Sequence, residues 1–414
     1  MKKYLIHIII GCLLLIAFSS CKTIRSEMAL NKGVQEELKG NLAIALSYYT
    51  KAINLNPTYA KAYNSAGNIY NRERLFELSV PFLQSAIKLD STYVMAYANL
   101  GIAYTELENY PQAAQVFQKA LDLDINSNNI CTYNNIGIFY IKQKEYDNAI
   151  MFFEKSITKS HIEPNYTNLA TALTEKGDYE KAVEHFKTAI RLNPNSYRAY
   201  HNLGTAYLKQ ENNELAIETF RKAITINPYI SDAYINLATI YGKQDSILQT
   251  IENLEQAIRL NPHNVATSSY QTPYSLDNRT IKKNGQPFIS KSSIVYIPVI
   301  KPNGKEFAKP YGNLSFYYIL TKNYQKSEQS AQKGLSIDST QTWIKTNLAA
   351  ALLFQNRYED AEKVYSELLN TPTEGLSYAE KCLEDLNKYE KADVIPENQK
   401  ENVEKIRQLL QKAN

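Results

Sequence analysis

The sequence contains little of three residue types that often mark a function. Its 414 residues include four cysteines, five histidines and one tryptophan. It also has no excess of one charge, because 46 basic residues stand against 42 acidic ones and the two kinds are interspersed along the chain. Nucleic-acid binding by counterion release needs a basic stripe. We therefore expect no nucleic-acid partner.

The scarcity of histidine and cysteine also argues against catalysis. Outside the first twenty residues there are four histidines, and none stands at metal-ligand spacing from another. The sequence has no glycine-rich phosphate loop and no Cys-x-x-Cys, Gly-x-Ser-x-Gly or His-Glu-x-x-His motif. We expect no enzymatic activity, no metal, no cofactor and no small-molecule substrate.

The longest apolar run is confined to the start of the chain. Two lysines at positions 2 and 3 precede an apolar run from Leu5 to Phe18, and small residues then lead to Cys21. This arrangement resembles a bacterial lipoprotein signal at residues 1–20, which implies that Cys21 is acylated and anchors the mature chain. The alternatives are acylation at Cys12, an ordinary secretory signal or an uncleaved anchor. Lys22 after the cysteine favours an outer-membrane protein that faces the periplasm of a bacterial envelope.

What the sequence has in excess is tyrosine, with 32 residues, and a repeat of 34 residues accounts for it. Tyrosine recurs at positions 4 and 11 of the repeat, glycine or another small residue at position 8, a small residue at position 20 and usually a large one at position 24. The nine repeats are residues 26–59, 60–93, 94–127, 130–162, 163–196, 197–230, 231–264, 308–341 and 342–375.

Within each repeat the apolar positions are three and four residues apart, which predicts two amphipathic helices. Turn pairs such as Gly40-Asn41 and Gly177-Asp178 separate the two sets, and prolines such as Pro57 and Pro194 often end the repeat. Small residues let the two helices approach closely while the large residue fills the space opposite. The sequence therefore predicts stacked helical hairpins with first and second helices.

The small, aromatic and proline positions resemble those of the tetratricopeptide repeat family. The resemblance implies an all-α fold, a right-handed superhelix of about nine helix-turn-helix units with a concave groove lined by the first helices. Seven repeats would occupy 21–264 and two would occupy 308–375. Cys131 and Cys382 would then lie too far apart for a disulfide.

Asparagine dominates position 6, where this family tends to face the groove. A side-chain amide can bond to both the N–H and the C=O of an extended peptide, as in the similar ladder of O-GlcNAc transferase. The alternative is that these amides bond to neighbouring turns. The predicted peptide-binding residues are Asn31, Asn99, Asn135, Asn168, Asn202, Asn236, Asn313 and Asn347.

The predicted groove also carries charges of both signs. This mixture differs from the lysine, asparagine and arginine clamp of chaperone adaptors, so we expect a different peptide or protein partner. The basic residues assigned to the groove are Arg72, Lys142, Arg198, Lys209 and Lys243.

Two segments depart from the repeat. Residues 265–307 are basic, contain Asn284-Gly285 and a β-branched run from Ile294 to Ile300, and predict a small β-hairpin insertion that interrupts the stacking of repeats. Residues 376–414 carry two apolar stripes that predict capping helices, or else an amphipathic segment that binds a partner.

These observations favour a non-catalytic interaction scaffold of the bacterial envelope that binds extended peptide or protein segments in its groove. One alternative is an assembly subunit that docks through residues 265–307 and its outer surface. A remote alternative is an accessory module of a glycosyltransferase-like enzyme, which would need a catalytic domain that these residues do not provide.

Overall fold

The computed structural model describes residues 22–124, 130–260, 281–283, 286–287, 305, 308–369 and 377–413. Within these ranges the chain forms twenty α-helices, so the predicted all-α architecture of helical hairpins is confirmed. The chain divides into two compact bodies. Of the residues that the structure describes, the N-terminal body contains 22–124, 130–194, 281–283 and 286–287, and the C-terminal body contains 195–260, 305, 308–369 and 377–413.

The N-terminal body contains five successive helical hairpins. Its first helix, α1, covers residues 22–38. The others are α2 Leu42–Leu55, α3 Ala60–Arg72, α4 Phe76–Leu89, α5 Val94–Glu106, α6 Tyr110–Leu123, α7 Ile130–Lys142, α8 Tyr146–Lys159, α9 Glu163–Lys176 and α10 Tyr179–Leu192.

The C-terminal body repeats the same hairpin and adds two helices. A single 3₁₀ turn, Glu397–Gln399, precedes the last helix. The helices are α11 Tyr197–Lys209, α12 Asn213–Ile226, α13 Ser231–Lys243, α14 Ile247–Arg259, α15 Ala308–Leu320, α16 Tyr324–Ile337, α17 Thr342–Phe354, α18 Tyr358–Leu369, α19 Tyr378–Lys391 and α20 Lys400–Lys412.

Two short strands lie within the segment between the seventh and eighth repeats. Strand β1, Ile281–Lys283, pairs antiparallel with β2, Gln286–Pro287. The remainder of the predicted β-rich insertion at 265–307 lies outside the described residues, so its β content stays a prediction.

The turns inside the hairpins place one residue in the left-handed region of backbone conformation. Glycine supplies it in two hairpins, with φ of 82° at Gly40 and 98° at Gly177. Other hairpins use a residue with a side chain at the same place, for example Arg74 with φ of 58° and Glu108 with φ of 57°. The hairpin geometry is therefore kept even where the sequence lacks the glycine that favours it.

In five hairpins the glycine at position 8 packs closely against the large residue at position 24. A methyl group added to Gly67 would stand 2.7 Å from Leu83, and one added to Gly204 would stand 2.8 Å from Phe220. Gly101 faces Phe117, which is buried, in the same way. Glycine is thus required by close approach, and the predicted match of small and large residues is confirmed.

Gly101→Ala should lower the free energy of unfolding by about 1–3 kcal/mol, because the added methyl group overpacks the Phe117 ring. Chemical denaturation followed by circular dichroism would measure the change. Gln115→Ala is the matched control, because Gln115 is an exposed residue of the adjacent helix α6. An unchanged midpoint for Gly101→Ala would contradict the packing argument.

The hairpins on either side of the insertion pack directly against each other. Ala238 and Leu254 of the seventh repeat form one buried cluster with Leu314 and Tyr318 of the eighth. The Tyr318 hydroxyl also donates a hydrogen bond to the Glu255 carboxylate. The expected interruption of stacking is therefore not found, since α14 and α15 are neighbours although a long segment joins them.

The last two helices bury the stripes seen in the sequence. Cys382, Leu386 and Tyr389 of α19 and Ile406 of α20 belong to one buried cluster with residues of the ninth repeat, including Tyr365. Cys382 is a buried free thiol and Cys131 an exposed one. No helix among the described residues is long and apolar enough to cross a membrane.

Candidate binding face of the first helices

The asparagine ladder follows the first helices, but its members differ in exposure. Asn99 is 9% exposed and Asn347 is 4% exposed, whereas Asn31 and Asn313 are exposed. The remaining members, Asn135, Asn168, Asn202 and Asn236, are half-buried.

Five ladder amides donate to position 5 of the preceding repeat, on the neighbouring first helix. Two of the acceptors are backbone carbonyls and the other three are side chains. The donor to acceptor distances are 2.9 Å from Asn99 to Asn64 Oδ1, 3.1 Å from Asn135 to the Ala98 carbonyl, 3.4 Å from Asn168 to Asn134 Oδ1, 3.3 Å from Asn236 to His201 Nε2 and 3.0 Å from Asn347 to the Gly312 carbonyl.

This repeated bond gives the ladder a role in stacking. Its partner is the adjacent first helix rather than the neighbouring turn that the alternative interpretation named. For Asn135, Asn168 and Asn236 no described residue donates to Oδ1, and none of these oxygens is buried. An acceptor therefore remains for the N–H of a peptide. The assignment of the ladder to peptide binding stays a prediction.

His201 connects two ladder residues. Its Nε2 accepts from Asn236 Nδ2, and its Nδ1 lies 3.1 Å from Asn202 Oδ1. A single tautomer with the proton on Nδ1 satisfies both contacts. His201 thus links Asn202 on its own helix to Asn236 on the neighbouring first helix.

Two of the predicted groove cations pair with acids of the preceding repeat. Arg72 lies 2.8 Å from Glu37, and Lys142 lies 3.1 Å from Glu106. These exposed pairs add little to stability. The guanidinium carbon of Arg198 lies 5.9 Å from the centre of the Tyr197 ring. Lys209 is exposed and also interacts with another group of the chain.

The fifth cation, Lys243, lies in a pocket of about 490 Å³ within the C-terminal body. The walls are formed by α13, α15 and α17, which are first helices of repeats, and by α19, which follows the last repeat. Helix α14 adds two residues. The lining residues are Ala238, Thr239, Gly242, Lys243, Thr250, Leu254, Asn313, Phe316, Tyr317, Trp343, Thr346, Asn347, Asp385 and Lys388.

The pocket has an aromatic wall. The Trp343 ring lies against Gly312, and the Tyr317 hydroxyl lies against Gly242, so the two glycines leave the space that the rings occupy. Burial is the main cause that raises the pKa of Tyr317, and Asp245 adds to it. The Tyr317 phenol therefore stays protonated at neutral pH and can donate a hydrogen bond.

Some polar groups of the pocket have partners within the protein, and others do not. Asp385 accepts from Thr346 at 3.1 Å and pairs with Lys388 at 3.1 Å. Asn313 and Lys243, in contrast, have no hydrogen-bond or ion-pair partner among the described residues. The pocket therefore offers a free amide and a free ammonium group beside an apolar wall.

The structure brings together Asn313, Asn347 and Lys243 from the predicted site. Sequence reasoning missed Trp343 and Asp385. Trp343 occupies position 2 of its repeat, a groove position, and it is the only tryptophan of the chain. These two features could have indicated it as a site residue. Asp385 comes from a helix outside the repeats and carries no such signal. Among the described residues no group of acids, histidines and cysteines could hold a metal ion.

The fold defines a protein of stacked helical hairpins, and the first helices carry the candidate site. Sequence profiles described as TPR repeat or tetratricopeptide repeat match separate parts of the chain. The matched ranges are 60–93, 94–127, 132–158, 170–211, 197–229 and 231–264.

The chain therefore belongs to the tetratricopeptide repeat family. Such repeats indicate a protein–protein interaction scaffold and are typically non-catalytic.

Several solved structures are similar to parts of the chain. YrrB, a protein of this repeat type with an unusual peptide-binding site, is 26% identical over 45% of this chain and 95% of YrrB, with a TM-score of 0.33. The pilF protein of Pseudomonas aeruginosa is 19% identical over 51% of this chain and 97% of its own, with a TM-score of 0.41. A tetratricopeptide repeat protein from Parabacteroides merdae is 18% identical over 59% and 96%, with a TM-score of 0.46.

Proposed function

We propose that this protein is a lipid-anchored scaffold of the bacterial envelope that binds an extended peptide segment on the first helices of its C-terminal body. The observation that carries the peptide assignment is the pocket around Trp343, because it places free polar groups beside an aromatic wall. The anchor is supported by the lipoprotein-like segment that ends at Cys21.

In this proposal an apolar side chain of the peptide enters the pocket against Trp343, Tyr317 and Phe316. Asn313 bonds to the peptide backbone through its amide, which has both donors and an acceptor. Lys243 favours an acidic group next to the buried side chain. A pocket of this composition combines apolar surface with a few polar groups that set orientation, as in most binding sites for small groups.

The test uses peptides selected on the purified protein from a random display library. Because Trp343 is the only tryptophan, its fluorescence reports directly on occupation of the pocket. We expect selected peptides to change this emission. Asn313→Ala should weaken their binding about fivefold, since a lost hydrogen bond costs on the order of 1 kcal/mol.

Trp343→Ala should weaken the same peptides by tenfold or more, measured by the anisotropy of a labelled peptide, because it removes a large buried contact of the hot-spot kind. Tyr229→Ala is the control, since Tyr229 is an exposed aromatic residue that does not line the pocket. Peptides that bind all variants equally and leave the emission unchanged would refute the proposed peptide site.

A further inference from the structure

The outer face of the first hairpin is apolar where a terminal repeat is normally polar. Ile24 and Met28 on α1 are 58% and 56% exposed, and Leu38 at the end of the helix is 84% exposed. Terminal repeats of a solenoid need a polar outer face for solubility, because no further repeat covers them. The exposed apolar residues of this face therefore call for an explanation.

Cations surround the apolar residues. Arg25 and Lys32 of α1 and Lys51 of α2 line a depression of about 370 Å³ together with Met28 and other apolar residues. None of the three cations has an ion-pair partner within residues 22–124 or the other described ranges.

The acidic residues of α1 do not neutralise this face. Glu36 pairs with Lys39 at 2.8 Å, and Glu37 pairs with Arg72 at 2.8 Å. Only Glu27 of the three acids on this helix is left without such a pair among the described residues. The face is therefore apolar and positively charged.

This face lies close in sequence to the proposed lipid anchor. The described part of helix α1 starts at residue 22, next in sequence to the cysteine to which the proposed function assigns the lipid anchor. Ile24 and Met28 are four residues apart in this helix and therefore lie on one side of it. An anchor at position 21 would hold Ile24, Arg25 and Met28 within two helical turns of the bilayer surface.

We infer that the outer face of the first hairpin lies on an anionic lipid surface, with Ile24 and Met28 at the headgroup boundary and Arg25, Lys32 and Lys51 against lipid phosphates. This inference rests on the lipid anchor of the proposed function. Anionic lipids match both properties of the face, as for interfacial helices. A second copy of the chain matches it less well, because a twofold contact would bring the same unpaired cations of both copies together.

The test measures the binding of the full mature chain carrying Cys21→Ser to vesicles, so that no acyl chain contributes. Vesicles of phosphatidylcholine with and without phosphatidylglycerol serve as the probe in co-sedimentation. We expect binding only with phosphatidylglycerol, and salt should weaken it. Replacing Arg25, Lys32 and Lys51 with glutamine should weaken binding roughly 100-fold, on the order of fivefold for each cation.

The control removes the same charge elsewhere, with Lys187→Gln, Lys222→Gln and Lys333→Gln, three exposed lysines on second helices. Ile24→Ser with Met28→Ser should also weaken binding without a loss of helicity. Absence of vesicle binding, or an equal loss in the control, would overturn the inference.

A dimer that forms with increasing concentration and is abolished by Ile24→Ser with Met28→Ser would also overturn the inference, since the face would then join two copies. Failure of the anchor itself is a separate result. It would appear in cell fractionation, whereas the vesicle measurement excludes the acyl chain.

Discussion

Replacing Cys21 with serine should make the protein almost completely extractable from the membrane fraction of cells by alkaline buffer. The mutation removes the proposed site of acylation, and no helix among the described residues can span a bilayer. Stable anchoring needs more than one acyl chain or a second signal, so the cationic face of the first hairpin alone should not resist alkaline extraction. Fractionation followed by alkaline extraction measures the change, and incorporation of labelled fatty acid reports on acylation.

Cys12→Ser and Cys131→Ser are the matched controls for this experiment. Cys12 tests the alternative acylation site, and Cys131 is an exposed free thiol that has no assigned role in anchoring. Both variants should stay in the membrane fraction and incorporate the label. A Cys21→Ser protein that still resists alkaline extraction would show that the chain is held by an uncleaved segment and that the lipoprotein assignment is wrong.

Asn347→Ala should destabilise the C-terminal body by about 2–4 kcal/mol, whereas Asn313→Ala should leave stability nearly unchanged. Asn347 is buried, donates to the Gly312 carbonyl at 3.0 Å and accepts from the Tyr389 hydroxyl at 3.1 Å. Its removal leaves the buried Tyr389 hydroxyl without its partner, which costs about 1–3 kcal/mol, and the Gly312 carbonyl loses a bond worth about 1 kcal/mol. Asn313 is exposed and has no partner among the described residues.

The two variants change the same position, position 6, in adjacent repeats, so each is the control for the other. Thermal and chemical denaturation measure stability, and the labelled-peptide assay measures binding. If Asn347→Ala keeps the wild-type midpoint, the hydrogen bonds of Asn347 do not contribute to the stability of the fold. If Asn313→Ala lowers the midpoint, its amide serves the fold and its proposed contact with a peptide backbone loses its support.

The hairpins and their contacts could be predicted because their cause is local. The pairing of Gly101 with Phe117 lies within one repeat, and a period of 34 residues presents it many times. The partners of the ladder could not be predicted in the same way. Whether Asn135 reaches a peptide or the Ala98 carbonyl depends on the offset between two stacked helices, which no spacing within a repeat specifies.

The pocket was harder to predict from the sequence than the ladder, because its residues come both from the repeats and from the helices that follow them. Trp343 lies in the ninth repeat and Lys243 in the seventh, while Asp385 belongs to α19. The direct packing of the seventh repeat on the eighth decides which residues meet there. That packing was obscured by the segment between them, although the core positions Leu254 and Leu314 were intact on both sides.

The contact between α14 and α15 has a consequence for how freely the chain can change. The packing of α14 against α15 fixes the two ends of the segment between them. It does not depend on the length of that segment. The entropy of loop closure grows slowly, by about 0.6 kcal/mol for each doubling of length. Related chains can therefore lengthen, shorten or replace this segment while the helices beside it keep their packing, which makes it the position where this scaffold can acquire a new module.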